Sequence, residues 1–202
     1  ALQLRRKTHE SIVYIDKDSA PRIMPNGEDF IINDLPVGTR VIYPNPPIKG
    51  LPNREAAIRY AINHPIDAKP LYAQLEPGMR VTIAMDDISL PLPPMQTPDL
   101  RQTMLEVVLD MCAANGVDDV HLIIANSLHR KMTAWEMERM VGSKIFNEFY
   151  PDRYYNHDAE DDENLIKIGE TRHDEPLRVN KRAIESDILI YLNLNLVPMD
   201  GG

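Results

Sequence analysis

A chain of 202 residues with 43% hydrophobic and 26% charged side chains can bury a core of its own, and its composition is neither disordered nor fibrous. A formal net charge of −9 opposes non-specific binding to nucleic acid, and no apolar run approaches the ~18–20 residues that span a bilayer. The single cysteine, Cys112, rules out an internal disulfide and suits a reducing, cytoplasmic setting.

The N-terminal stretch Ala1-Leu2-Gln3-Leu4-Arg5-Arg6-Lys7 lacks the apolar centre of a signal peptide. Residues 1–52 read as an N-terminal extension and β-rich segment, with strand-like pieces at Ile12–Ile15 and Arg40–Tyr43. Pro44, Pro46, Pro47 and Pro52 then impose extended or turn geometry. Asn53 caps a helix reaching about Ile62, which Pro65 ends.

From residue 80 the pattern becomes regular. The apolar run Val81–Met85 predicts a buried strand, followed by a proline-rich loop over 86–97. Thr97 as N-cap and Pro98 at the first helical position open a helix whose apolar face is Leu100, Met104, Val107, Val108, Met111 and Cys112. Gly116 stops it, and a strand over 119–125 completes a βαβ unit. Thr133-Ala134-Trp135-Glu136 is a capping box that opens a short helix ending near Gly142. Strands are expected at Tyr154–Asn156, Leu165–Ile168, Leu177–Val179 and Ile188–Leu192, with a helical turn over Lys181–Glu185.

Alternating strands and helices, with strands that are continuously apolar, predict an α/β fold: a mostly parallel, Rossmann-like sheet with helices on both faces, over residues 53–202. The chain lacks an initiator Met and stops at Gly201-Gly202 soon after a strong strand, so it reads as a fragment incomplete at its C-terminus.

Polar groups collect where buried strands stop, the place where open α/β sheets bind ligands. Asp86, Asp87 and Ser89 follow one strand and can orient a ribose or bond a phosphate-bearing group; the plainer reading is a turn leading into Pro91. His129 ends the next strand and is the candidate acid–base group, because imidazole titrates near pH ~6.5. Arg130 and Lys131 beside it offer an influence on its protonation or an anion site, and the alternative is a loop histidine bonded to backbone. His121, inside a strand, suits a structural role. His157 and Asp158 open an acidic string through Glu163 that has no EF-hand spacing and reads mainly as a solvated loop. A metal hydrolase using His129, His157 and Asp158 is a further possibility. There is no G-x-G-x-x-G, Walker loop, G-x-S-x-G elbow or C-x-x-C pair, and Cys112 lies on an apolar helix face.

Taken in order, four segments resemble the N-terminal domain of the lactate racemase family over about residues 38–202. They are Asp87-Ile88-Ser89-Leu90-Pro91, Leu128-His129-Arg130-Lys131-Met132-Thr133, Asn156-His157-Asp158-Ala159 with Glu163-Asn164-Leu165, and Val179-Asn180-Lys181-Arg182. The resemblance implies a racemase or epimerase that moves a hydride from an alcohol carbon to a nickel-pincer nucleotide. It implies that His129 is one of two acid–base histidines and that Asp87, Ile88, Ser89 and Leu90 line the cofactor pocket. A small-molecule substrate is implied, with no nucleic-acid or membrane partner.

Two departures shape the expectation. Leu90 stands where the family carries an Arg, and an apolar side chain cannot form a charge-assisted bond to a carboxylate. Asn193-Leu194-Asn195-Leu196-Val197 has no histidine where the second one belongs. The family's cofactor-anchoring lysine and nickel-ligating histidine are expected beyond Gly202, so residues 1–202 carry no metal ligand of their own. The expectation is a family member that does not act on lactate, inactive as this fragment. The alternative is a non-catalytic module, descended from the family, that binds a nucleotide or small ligand or a partner.

Overall fold

The computed structural model describes residues 11–45, 49–88 and 97–193, in two compact units, Ala1–Leu51 and Pro52–Gly202. In the first unit, β1 (Ile12–Tyr14) pairs antiparallel with β4 (Arg40–Ile42), so the two expected strand pieces are each other's partners. Between them lies a hairpin of β2 (Arg22–Asn26) and β3 (Asp29–Asn33) that the sequence reading did not include. Its signal was Asn26-Gly27, with Gly27 at φ 64, and Pro25 had hidden the alternation.

The second unit opens with α1 (Arg54–Asn63), where Asn53 accepts the Ala56 N–H at 3.0 Å as an N-cap should. Then follow β5 (Arg80–Met85), α2 (Leu100–Ala114), β6 (Asp119–Ile124), α3 (Ala134–Val141), α4 (Ser143–Phe149) and β7 (Tyr154–Asn156). After these come β8 (Leu165–Glu170), β9 (Pro176–Asn180), α5 (Lys181–Ile184) and β10 (Ile188–Leu192). Four strands form one parallel sheet in the order β10-β5-β6-β7, and one row across it reads Ile190, Ile83, Leu122, Tyr154. The α/β class therefore holds. β8 and β9 do not join the sheet; they pair antiparallel with each other as a ribbon.

Alternation along the strands divides the sheet into two faces. Val81, Ile83, Met85, Leu122 and Ile124 pack against Leu105, Val108 and Cys112 of α2 and against Met137, Met140, Ile145 and Phe149 of α3 and α4. Thr82 faces the other way, where Arg182 of α5 donates to its hydroxyl at 3.2 Å and Ser186 lies at 2.6 Å. Helices thus flank both faces. No described helix is long and apolar enough to cross a membrane.

Three helix details differ from expectation. The N-cap of α2 is Asp99 rather than Thr97, because its carboxylate accepts the Arg101 N–H at 2.8 Å and also pairs with the Arg101 guanidinium. The buried residues of α2 include Leu105 and Arg101, while Leu100, Met104 and Met111 are only half-buried. Past Gly142 a second short helix, α4, follows at once, with no counterpart among the expected elements.

Candidate functional site at the carboxyl edge of the sheet

Because all four strands run parallel, their carboxyl ends meet at one edge. Asp86 and Asp87 follow Met85, and consecutive residues leaving a strand diverge to opposite sides. Asp87, 8% exposed, accepts from Nδ1 of His129 at 2.9 Å. Asp86 accepts from the hydroxyl of Tyr191 on the neighbouring β10. Burial, the bond to Asp86 and the charges of Asp86 and Asp87 push the Tyr191 phenol up to about 12, so it stays a donor at neutral pH.

The His129 loop leaves β6 through Asn126, which is 2% exposed. Its backbone oxygen accepts the His129 N–H at 2.7 Å, its side-chain amide donates to the His129 carbonyl at 3.4 Å, and Ser127 turns the chain at φ 49. Oδ1 of Asn126 is buried without a hydrogen-bond partner among the described residues. On the exit side, Asn156 of β7 accepts the Met132 N–H at 2.8 Å and donates to the Met132 carbonyl at 2.9 Å.

The cations beside His129 are committed elsewhere. Arg130 makes a bidentate pair with Glu136, at 2.9 and 2.7 Å. Those bonds, with the Thr133 N–H, hold the Glu136 carboxyl down to about 2. Lys131 pairs with Asp158, which lowers that carboxyl as well. The anion site suggested by the sequence is therefore occupied by the protein's own carboxylates.

The acidic string builds turns. Asp158 accepts the Glu160 N–H, Asp161 accepts the Glu163 N–H and the Asn164 amide, and Asp162 pairs with Arg178. His157 lies against Asn180 at 3.3 Å, and burial lowers its pKa. The three residues of the hydrolase reading thus have separate partners, and among the described residues no three His, Cys, Asp or Glu side chains gather as a metal ion requires. His121 bonds the Tyr155 hydroxyl at 3.2 Å inside the sheet, a structural place. Cys112 is buried and its thiol is pushed up to about 11, which makes it unreactive.

Of the four residues assigned to a cofactor wall, Asp87 is turned to His129 and Ile88 packs partly buried against the core. Ser89 and Leu90 lie outside the described residues, as does 194–202. Tyr191 and Asn126 have no place among the sequence candidates, their only local signal being a position near the end of a strand, while Asn156 enters there only within the family resemblance.

The chemistry open to this edge is proton transfer. A carboxylate on Nδ1 selects the tautomer with its proton there, fixes the ring and leaves the lone pair on Nε2. His129 is half exposed while Asp87 is buried, so the ring lies between the protein and solvent.

A family model described as the lactate racemase N-terminal domain matches residues 29–198, beginning at the first residue of β3. Lactate racemase of Thermoanaerobacterium thermosaccharolyticum is 27% identical over 138 residues, which is 68% of this chain and 30% of that protein. The apoprotein structure of lactate racemase from the same organism superposes with a TM-score of 0.58 at 26% identity, covering 85% of this chain and 38% of that one. A Thermotoga maritima protein shares the fold, with a TM-score of 0.52, 18% identity, and coverage of 71% and 34%. The chain spans about a third of the length of these relatives.

Proposed function

The chain belongs to the lactate racemase N-terminal domain family, and from that premise we propose that it carries the acid–base side of a racemase or epimerase acting on a 2-hydroxy acid or related alcohol. The observation that carries the reading is the Asp87–His129 pair at the carboxyl edge of the sheet. Nε2 of His129 takes the substrate's hydroxyl proton and later returns it, while Asp87 holds the ring and balances the imidazolium that forms.

The family's nickel-pincer nucleotide, when bound, supplies the hydride acceptor. The residues assigned to it are Asp87, Ile88, Ser89 and Leu90. Beside His129, Asn126 holds a buried Oδ1 that has no partner among the described residues and still calls for a donor.

Leu90 in place of the family's Arg removes the charge-assisted bond to a substrate carboxylate, and the reading follows that lactate is not the substrate. The test is chiral chromatography of lactate, other 2-hydroxy acids and neutral secondary alcohols incubated with the longer, cofactor-loaded protein. Interconversion of a substrate other than lactate supports the proposal, and racemisation of lactate at a rate typical of enzymes overturns its substrate clause. A second reading, a ligand-binding module without turnover, rests on Leu90 and on the absence of histidine from 193–197. Calorimetric binding of the nucleotide with no interconversion of any substrate selects it.

A further inference from the structure

The position of His129 depends on its backbone as much as on Asp87, and that backbone is fixed by side chains from two other elements. All four residues that follow His129 are held: Arg130 by Glu136 at 2.9 and 2.7 Å, Lys131 by Asp158, Met132 by both groups of the Asn156 amide at 2.8 and 2.9 Å, and Thr133 by Glu136 at 2.8 Å. Met132 is 4% exposed and packs in the core. Glu136 does two jobs with one carboxylate. It completes the capping box of α3, and it ties Arg130, the residue next to His129, to that helix.

We propose that Glu136 and Asn156 are positioning residues for His129, acting through Arg130 and Met132 to keep Nδ1 of the imidazole within reach of Asp87. A capping box needs only an acceptor at its third position, which Gln supplies as well as Glu. A bidentate partner for Arg130 needs the carboxylate. The two roles therefore separate by substitution. The inference rests on the acid–base reading only for its consequence in turnover; the geometry it concerns is measurable without substrate.

The experiment is nitrogen-15 NMR of the histidine rings in the protein, reading the ratio of the Nδ1–H to the Nε2–H tautomer at His129, with thermal unfolding alongside. Glu136→Gln and Arg130→Ala are each expected to lower that ratio about tenfold, the scale of losing one charge-assisted clamp, with the melting temperature of Glu136→Gln nearly unchanged. The double variant is expected to go no further than either single one, since both cut the same link. Asn156→Asp, which keeps the acceptor for the Met132 N–H and removes the donor, is expected to lower the ratio too. An unchanged ratio in Glu136→Gln and Arg130→Ala would reduce Glu136 to a helix cap, and additive effects would break the proposed link through Arg130. An unchanged ratio in Asn156→Asp removes Asn156 from the proposal. Because no turnover is read, failure of the racemase reading leaves these outcomes intact, and their failure leaves that reading to its own assay.

Discussion

Asp87 and His129 are 42 positions apart in the chain and 2.9 Å apart in space, at the ends of two adjacent parallel strands. One βαβ crossover accounts for both numbers, since it returns the chain to the same edge of the sheet one strand over. On the proposed racemase reading, His129→Ala in the longer, cofactor-loaded protein is expected to lower kcat by about 10²–10⁴ through loss of the acid–base group. Asp87→Asn keeps the shape but takes away the carboxylate, and should also lower kcat strongly with little change in KM. Steady-state kinetics decide the matter: an Asp87→Asn variant with unchanged kcat would show that the carboxylate does not serve His129 in turnover.

Asp99 and Arg101 form a buried ion pair at 2.8 Å, with side chains 9% and 3% exposed. Arg101 also reaches the Asp86 carbonyl at 3.4 Å, so the pair braces the end of β5 as well as the start of α2. Arg101→Met leaves a buried carboxylate without its partner and is expected to cost about 3–5 kcal/mol in urea unfolding. The double variant Asp99→Asn/Arg101→Met retains a cap and removes both charges, so it should lose less than the single one. Equal losses would contradict the idea that the orphaned charge is the cause.

Gly142 joins α3 to α4 at φ 80 and ψ 153, a region that only glycine occupies readily. A Cβ there would also lie 2.7 Å from the Gln102 side chain. Gly142→Ala is expected to destabilise the protein by about 1–3 kcal/mol. Gly142→Ala/Gln102→Ala, which removes the contact but not the backbone strain, should recover only part of it. Full recovery in chemical denaturation would assign the effect to the contact alone.

Burial lowers the pKa of both His121 and His157, with Arg182 adding to the effect at His121 and Asp119 opposing it. The unfolded chain then takes up protons near pH ~6.5 that the folded one refuses, so this stability is present above that value and lost as pH falls through it. Glu136, held down to about 2 by Arg130, adds a second loss between its ordinary range and that value. His121→Gln should flatten the dependence of the urea midpoint between pH 7.5 and 5.5 relative to the parent, and leave the lower step in place. A parallel curve for the variant would exclude His121 from the upper step.

Much of the edge was readable locally. Apolar runs placed the ends of β5 and β6, and with them Asp87 and His129, because a buried strand must be continuously apolar. The Thr133–Glu136 capping box and the Asn53 cap were equally legible, since each is satisfied within four residues. The β2–β3 hairpin was obscured by Pro25, and α4 by its seven-residue length, too short for periodicity to show.

The sequence by itself determined the α/β class, the N-caps of α1 and α3, and which polar residues stand where strands stop, because each of these is a property of neighbours along the chain. Only the tertiary structure decided the partners: Asp87 with His129, Asp86 with Tyr191 across 105 positions, Arg130 with Glu136, and β8 with β9 instead of the sheet. Such pairings follow from strand order and register, which are set by how the whole core packs and are written in no local stretch of residues.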